Sequence, residues 1–220
     1  MKRTVEEHAS RFDAQAAEYD DSQDSEAYRA CANLVIELAD PGPDDVVLDI
    51  GTGTGAIALA LADDAKRVVG RDISEGMLEK AREKAATAGI ENGAESTADS
   101  AGSRTGGSGT VEFGEGRFRE PNYDGEVDIV VSNFAMHHLS DEEKREAIET
   151  IAALDPRKFV LGDVMFFGKP DPDEPFYSPE VDDPATVGTL VEAFTEAGLA
   201  VTGARRVHDQ VGVLVGERLE

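Results

Sequence analysis

Apolar positions along this chain fall into short dense runs separated by stretches of helical spacing. From 46 to 62, VVLDIGTGTGAIALALA, an apolar run with one acid breaks at a glycine-rich turn and resumes with a helical period. It reads as strand, tight loop, helix. Comparable runs predict strands at 67–72, 110–113, 127–132, 159–164, 200–207 and 211–216. Amphipathic spacing predicts helices over 6–19 and 25–39, the second ended by Pro41 and Pro43, and helices in most gaps between strands. Alternation of strand and helix implies parallel crossovers, whereas the last two strands are too close for one and must form an antiparallel hairpin. The expected fold is α/β, a doubly wound and mostly parallel seven-stranded sheet in one domain over 1–220, with a helical cap over 1–40.

Two segments interrupt this order. Residues 91–109 are rich in Gly, Ser and acid without a large apolar side chain, and are expected to be a flexible insertion remote from the glycine loop. Residues 168–183 combine proline and acid with Phe176 and Tyr177 and follow the fifth strand, where ligands bind in such sheets. A substrate lid is expected there.

Charge narrows the setting. Asp plus Glu number 46 against 21 for Lys plus Arg, a formal net charge of −25, and lysine is scarce at 7 against 14 arginines. Acids spread along the chain suit a surface that must stay hydrated in concentrated salt, as in the cytoplasm of a halophilic cell. No basic stripe with interleaved aromatics is present, so a nucleic-acid partner is not expected. The single cysteine, Cys31, reads as a reduced core residue, and no metal-ligand cluster stands out. Neither an apolar leader nor a run near ~20 apolar residues occurs, so no membrane partner is expected. Oligomeric state is not legible.

The glycine loop carries the chemistry. Gly51, Gly53 and Gly55, with Thr52 between the first two, let backbone lie against a nucleotide at a helix start. Gly51, Gly53 and Ala56 also satisfy a dinucleotide pattern, which keeps an NAD-dependent oxidoreductase as an alternative. Asp49 weighs against it: a carboxylate at that strand end repels a pyrophosphate but favours S-adenosylmethionine (SAM), which carries an ammonium and a sulfonium. Asp72, ending the next strand, is placed to accept both ribose hydroxyls; its rival role is a helix cap, for which Ser74 competes.

An acidic residue before G-x-G-x-G, matched by Asp49 and the three glycines, and a second acid at Asp72 resemble the class I SAM-dependent methyltransferases, over the chain from about Phe12 onward. The resemblance implies a Rossmann-like sheet. It also implies that Ile73 and Met77 pack on adenine, that Tyr19 of FDAQAAEYDD closes over the methionine end of SAM, and that Asn133 lies near that moiety. At Gly116, Arg117 and Phe118 the chain departs from the family, because an arginine stands where an acid would accept the adenine amino hydrogens. Backbone around Phe118 is then expected to hold adenine.

SNFAMHHLSDEEK resembles the family segment beneath the transferred methyl, which implies that His137 and His138, groups of near-neutral pKa, lie beside the reacting centre, and either is a candidate general base. The expected function is SAM-dependent methyl transfer to a small molecule. Besides the oxidoreductase, a non-catalytic SAM-binding regulator remains as an alternative.

Overall fold

The computed structural model describes residues 4–22, 25–91, 93, 109–169 and 175–219. The core of the expected insertion, 94–108, and part of the expected lid, 170–174, lie outside the described residues.

The sheet is built from β1 (Val46–Ile50), β2 (Arg67–Asp72), β3 (Thr110–Glu115), β4 (Ile129–Asn133), β5 (Lys158–Phe166), β6 (Ala185–Thr186), β7 (Ala200–His208) and β8 (Val211–Glu217). Their order is β3-β2-β1-β4-β5-β8-β7, parallel as far as β5 and antiparallel in the β8 and β7 pairings. The terminal hairpin is as expected. The two-residue β6, which pairs with β5, is an addition that its length hid in the sequence.

Strand residues alternate between two cores, the period of an extended chain buried on both faces. Val47, Val68 and Val131 pack with α3 (Glu26–Ala39), α4 (Ala56–Leu61) and α5 (Glu75–Ala88). Their neighbours Leu48, Val69 and Val130 pack on the other face with α6 (Asp141–Ala153) and α7 (Val187–Glu196). On that second face Phe159 and Phe194 are fully buried and stacked at 5.0 Å between ring centroids. Such a pair adds about 0.5–1.5 kcal/mol beyond its buried area. Cys31 is buried beneath β5 as expected.

The helices start where the sequence supplies side-chain caps. Ser25, Ser74, Ser140 and Thr186 each accept a backbone N–H from the first turn of α3, α5, α6 and α7. The N-terminal cap departs from expectation: the single helix over 6–19 is broken into α1 (Val5–Gln15) and α2 (Tyr19–Ser22). The break turns Asp20 toward the sheet, where its carboxylate accepts the Thr54 hydroxyl at 2.7 Å and meets the Lys84 ammonium at 2.5 Å. Asp13 fastens α1 in the same way, accepting from the Ser74 hydroxyl at 2.6 Å and the Gly76 N–H at 3.0 Å. Both acids draw the cap over the C-terminal ends of β1 and β2.

Candidate active site

The strand order reverses between β1 and β4, and at that crevice lies a cavity of about 590 Å³. This is the position at which open α/β sheets bind ligands. Its floor is the loop after β1. Gly51 sits at φ +75, where a Cβ would stand 2.4 Å from that of Ala135, so the loop and the chain leaving β4 touch only because the side chain is absent. Gly53, at φ +53, has no atom within 4 Å of where its Cβ would be, and this bare backbone forms part of the cavity wall.

Two buried carboxylates face this loop. Asp49 accepts the Thr52 hydroxyl at 2.7 Å. Burial pushes the Asp49 carboxyl up to about 7; the Thr52 hydrogen bond opposes this and the charge of Asp72 adds to it. Asp72 accepts the Gly53 N–H at 2.8 Å and the Ser74 N–H at 2.9 Å, and burial raises its pKa against those hydrogen bonds. Ser74 rather than Asp72 caps α5, and Asp72 lines the cavity.

Most expected cofactor residues line this cavity: Tyr19, Asp49, Gly51, Thr52, Gly53 and Asp72, then Ile73, Met77, Gly116, Arg117, Phe118 and Asn133. Gly55 does not. It begins α4, and a Cβ there would press on Ala81 and Phe113, so its contribution is close helix packing. Arg117 lies at the cavity but its guanidinium is paired with Glu120 at 2.6 Å.

The fold brings the residues present into a fit with SAM. Asn133 Oδ1 is buried without a hydrogen-bond partner, an acceptor suited to an ammonium, and the carboxylates of Asp49 and Asp72 suit a cation and a diol. Tyr19 and Tyr28 share a hydrogen bond above this end of the cavity; burial raises both phenols, Tyr28 to about 12, so both remain neutral.

A second cavity of about 640 Å³ adjoins the first, and Phe12, Tyr19, Tyr28, Phe134 and His138 belong to the walls of both. Phe134, directly after β4, is held at φ +53, strained for an aromatic residue, and its ring is tilted against Tyr28 with centroids 4.8 Å apart. Phe176, whose ring lies 6.1 Å from that of Phe134, and Tyr177 line the same cavity from the described part of the expected lid.

His137 and His138 occupy a short 3₁₀ turn, Met136–His138, with ring centroids 4.1 Å apart, and their environments drive them in opposite directions. His137 Nδ1 lies 2.5 Å from Asp163 Oδ1, and its N–H donates to the same carboxylate. Burial disfavours the His137 imidazolium, but the charge and hydrogen bond of Asp163 outweigh it and hold the pKa above its ordinary value. His137 lines only the second cavity. His138 Nδ1 lies 2.8 Å from Asp182 Oδ1. Burial, with the charge of His137, pulls His138 down to about 4 despite Asp182. A carboxylate can only accept, so Nδ1 of His138 carries the proton and Nε2 keeps the lone pair.

Asp163 and Asp182 were not singled out by the sequence. Asp163 leaves one signal, an acid inside the apolar run VLGDVMF of a buried strand; Asp182 leaves none within its acidic segment. One atom each of His137, His138 and Asp182 falls within 4.8 Å, a grouping the sequence did not suggest, although both imidazoles already spend Nδ1 on carboxylates. Among the described residues no helix is long and apolar enough to cross a membrane.

Comparison with known proteins agrees with this geometry. Residues 48–154 match the family model described as a methyltransferase domain. An uncharacterized methyltransferase of Bacillus pumilus is 31% identical over 169 residues, 73% of this chain and 68% of that protein. Another, from Bacillus velezensis, is 28% identical over 210 residues, 86% of this chain and 88% of that one. The fold is similar to that of magnesium protoporphyrin IX methyltransferase from Synechocystis with bound SAM, at TM-score 0.59 and 20% identity over 100% of this chain and 86% of that one. The chain therefore belongs to the methyltransferase family, as a class I SAM-dependent enzyme rather than an oxidoreductase.

Proposed function

We propose that the acceptor is a small molecule held in the second cavity and methylated on a nucleophilic heteroatom, with His138 as general base. The observation that carries this reading is that His138, in the wall that the two cavities share, is paired with Asp182 of the second cavity. Bound SAM supplies an electrophilic methyl on its sulfonium. The chain supplies the rest: Asp72 and Asn133 anchor the two ends of the cofactor site, Asp49 offers negative charge to a cation, and Tyr19, Tyr28 and Phe134 exclude water where the cavities join. His138 Nε2 takes the proton released by the nucleophile. Asp182 stabilises the imidazolium as it forms.

Lid residues close the far side. Asp183 N–H donates to the His137 carbonyl at 2.7 Å, and the buried Lys144 ammonium bonds the carbonyls of Leu139, at 2.6 Å, and of Asp183. These bonds hold Asp182 against His138, which supports a lid role for the described residues of 168–183. The net charge of −25 supports a small acceptor over a nucleic acid, and a salt-adapted cytoplasm as the setting. Tritiated SAM, incubated with the enzyme and a fractionated cell extract, tests this: label is expected in the low-mass fraction. Label confined to protein or nucleic acid would overturn it.

A further inference from the structure

Most of the described arginines are paired with acid. Arg71 meets Glu112, Arg119 meets Glu143 and Glu146, and Arg145 meets Glu192. With 46 acids to 21 bases, a guanidinium nitrogen shut off from water in a cavity wall without a carboxylate stands out. Arg11 carries one. It lines the second cavity, its Nη1 is shut off from water with no hydrogen-bond partner, and its close neighbour is the Phe12 ring, 5.6 Å from the guanidinium carbon.

The acids one helical turn away or in the same cavity wall are held by other partners or exposed. Glu7, one helical turn before Arg11, closes the capping box of α1 by accepting the Thr4 N–H at 2.8 Å. Asp182 is held by His138 and by the Ser178 N–H at 2.8 Å. Glu18, at the rim of the cavity, is exposed, where water screens it. A buried charged donor with no acceptor is costly, and a ligand oxyanion is the acceptor that would relieve it.

We propose that the methyl acceptor carries a carboxylate or phosphoryl oxyanion seated on Arg11, with an apolar body lying among Phe12, Tyr28, Phe134 and Phe176. This rests on the second cavity being the acceptor site. The surface, at a net charge of −25, repels an anion, so a cavity wall that holds the unpartnered Nη1 of Arg11 is a place where an anion gains. Arg11 is outside the cofactor cavity, which makes it a specificity residue for the acceptor alone.

The test uses the full chain saturated with S-adenosylhomocysteine, ¹⁵N-labelled on arginine, and titrated with benzoate, phenylphosphonate and the neutral isostere benzamide. The guanidinium signals of Arg11, identified by their loss in Arg11→Gln, should shift saturably with an oxyanion and at least tenfold more weakly with benzamide. A response to benzoate alone assigns a carboxylate; a response to phenylphosphonate alone assigns a phosphoryl group. Arg11→Gln should weaken the anion at least tenfold while S-adenosylhomocysteine binds as before, and Arg11→Lys should retain part of the affinity. Equal affinity for benzoate and benzamide, an unchanged affinity in Arg11→Gln, or no saturable response to either anion would overturn the proposal. Failure of the methyl-transfer reading would show separately, as no bound S-adenosylhomocysteine, and the anion titration can still be read on the cofactor-free protein.

Discussion

Asp182 and His138 lie 44 residues apart in sequence and meet at 2.8 Å, so a residue of the segment after β5 fixes the proton on the histidine that lines both cavities. His138→Gln should therefore lower kcat by about 10²–10⁴, the usual worth of a positioned base, with SAM affinity nearly unchanged. Asp182→Asn should lower kcat less. Because burial and the charge of His137 pull the His138 pKa down to about 4, it is neutral and competent above that value, and kcat should be flat near neutrality and fall in acid. Single-turnover rates against pH for the three proteins decide the assignment, and an unchanged kcat in His138→Gln removes it.

The same residue sets a stability slope. His138 has its folded pKa depressed from 6.5 to about 4, so its neutral burial costs nothing above 6.5 and stability is lost as pH falls toward 4. The loss is on the order of 3 kcal/mol. His137, raised by Asp163, works in the opposite sense: its contribution is present below 6.5 and is lost as pH rises through its folded pKa. Denaturant midpoints for His138→Asn between those limits should lack the acid slope that the wild type shows.

Asp49 predicts coupling between cofactor and proton. Its carboxyl, pushed up to about 7 by burial, is partly protonated at neutral pH without a ligand, whereas a bound cation favours the carboxylate. SAM binding near pH 7 should release a fraction of a proton, and affinity should fall as pH drops below about 7. Calorimetry in two buffers of different ionisation enthalpy reads the proton directly. Identical heats in both, and a Kd flat with pH, would show that Asp49 does not face the charge.

Why some of this was legible and some not follows from the range of the interactions. Strands β1, β2, β4 and β5 are buried on both faces, so each is a continuous apolar run and announces itself. The glycine loop and Asp72 were legible because their geometry is local to one strand, loop and helix. Phe12, Ala16 and Tyr19 fall on one helical face, which concealed the break between α1 and α2; the latch of Asp20 on Thr54 and Lys84 spans dozens of positions and leaves no periodic trace. The pairings of Asp163 with His137 and Asp182 with His138 are likewise products of topology. Gly55 fits the loop pattern and yet serves packing, since pattern alone does not say which side of a turn faces a ligand.

Two glycines of that loop should separate stability from binding. Gly51→Ala imposes a Cβ at positive φ and 2.4 Å from Ala135, a strain of about 1–2 kcal/mol plus about 1–3 for overpacking. Gly53→Ala meets no atom within 4 Å and should cost stability only the first of these, yet it fills bare cavity wall. Melting temperature should fall mainly in Gly51→Ala, whereas SAM affinity should fall in Gly53→Ala even where the protein is fully folded. Equal SAM affinity in Gly53→Ala and wild type would mean that the cofactor lies away from this loop.

The acid surplus makes the last prediction. With 46 acids against 21 bases, 25 carboxylates have no basic counterpart, and their mutual repulsion opposes the compact state at low ionic strength. Added salt also weakens surface ion pairs such as Arg145–Glu192, but exposed pairs are worth only about 0–1 kcal/mol each. Relief of repulsion therefore wins, and melting temperature should rise with salt. The Debye length is already ~3 Å at ~1 M, so screening is nearly complete there. A further rise above that concentration would come from salting-out of apolar surface or from ion binding. Melting temperatures across roughly 0.05 to 3 M KCl measure both parts. A flat profile would mean that the acidic surface is not an adaptation to salt and would point instead to a basic partner for it.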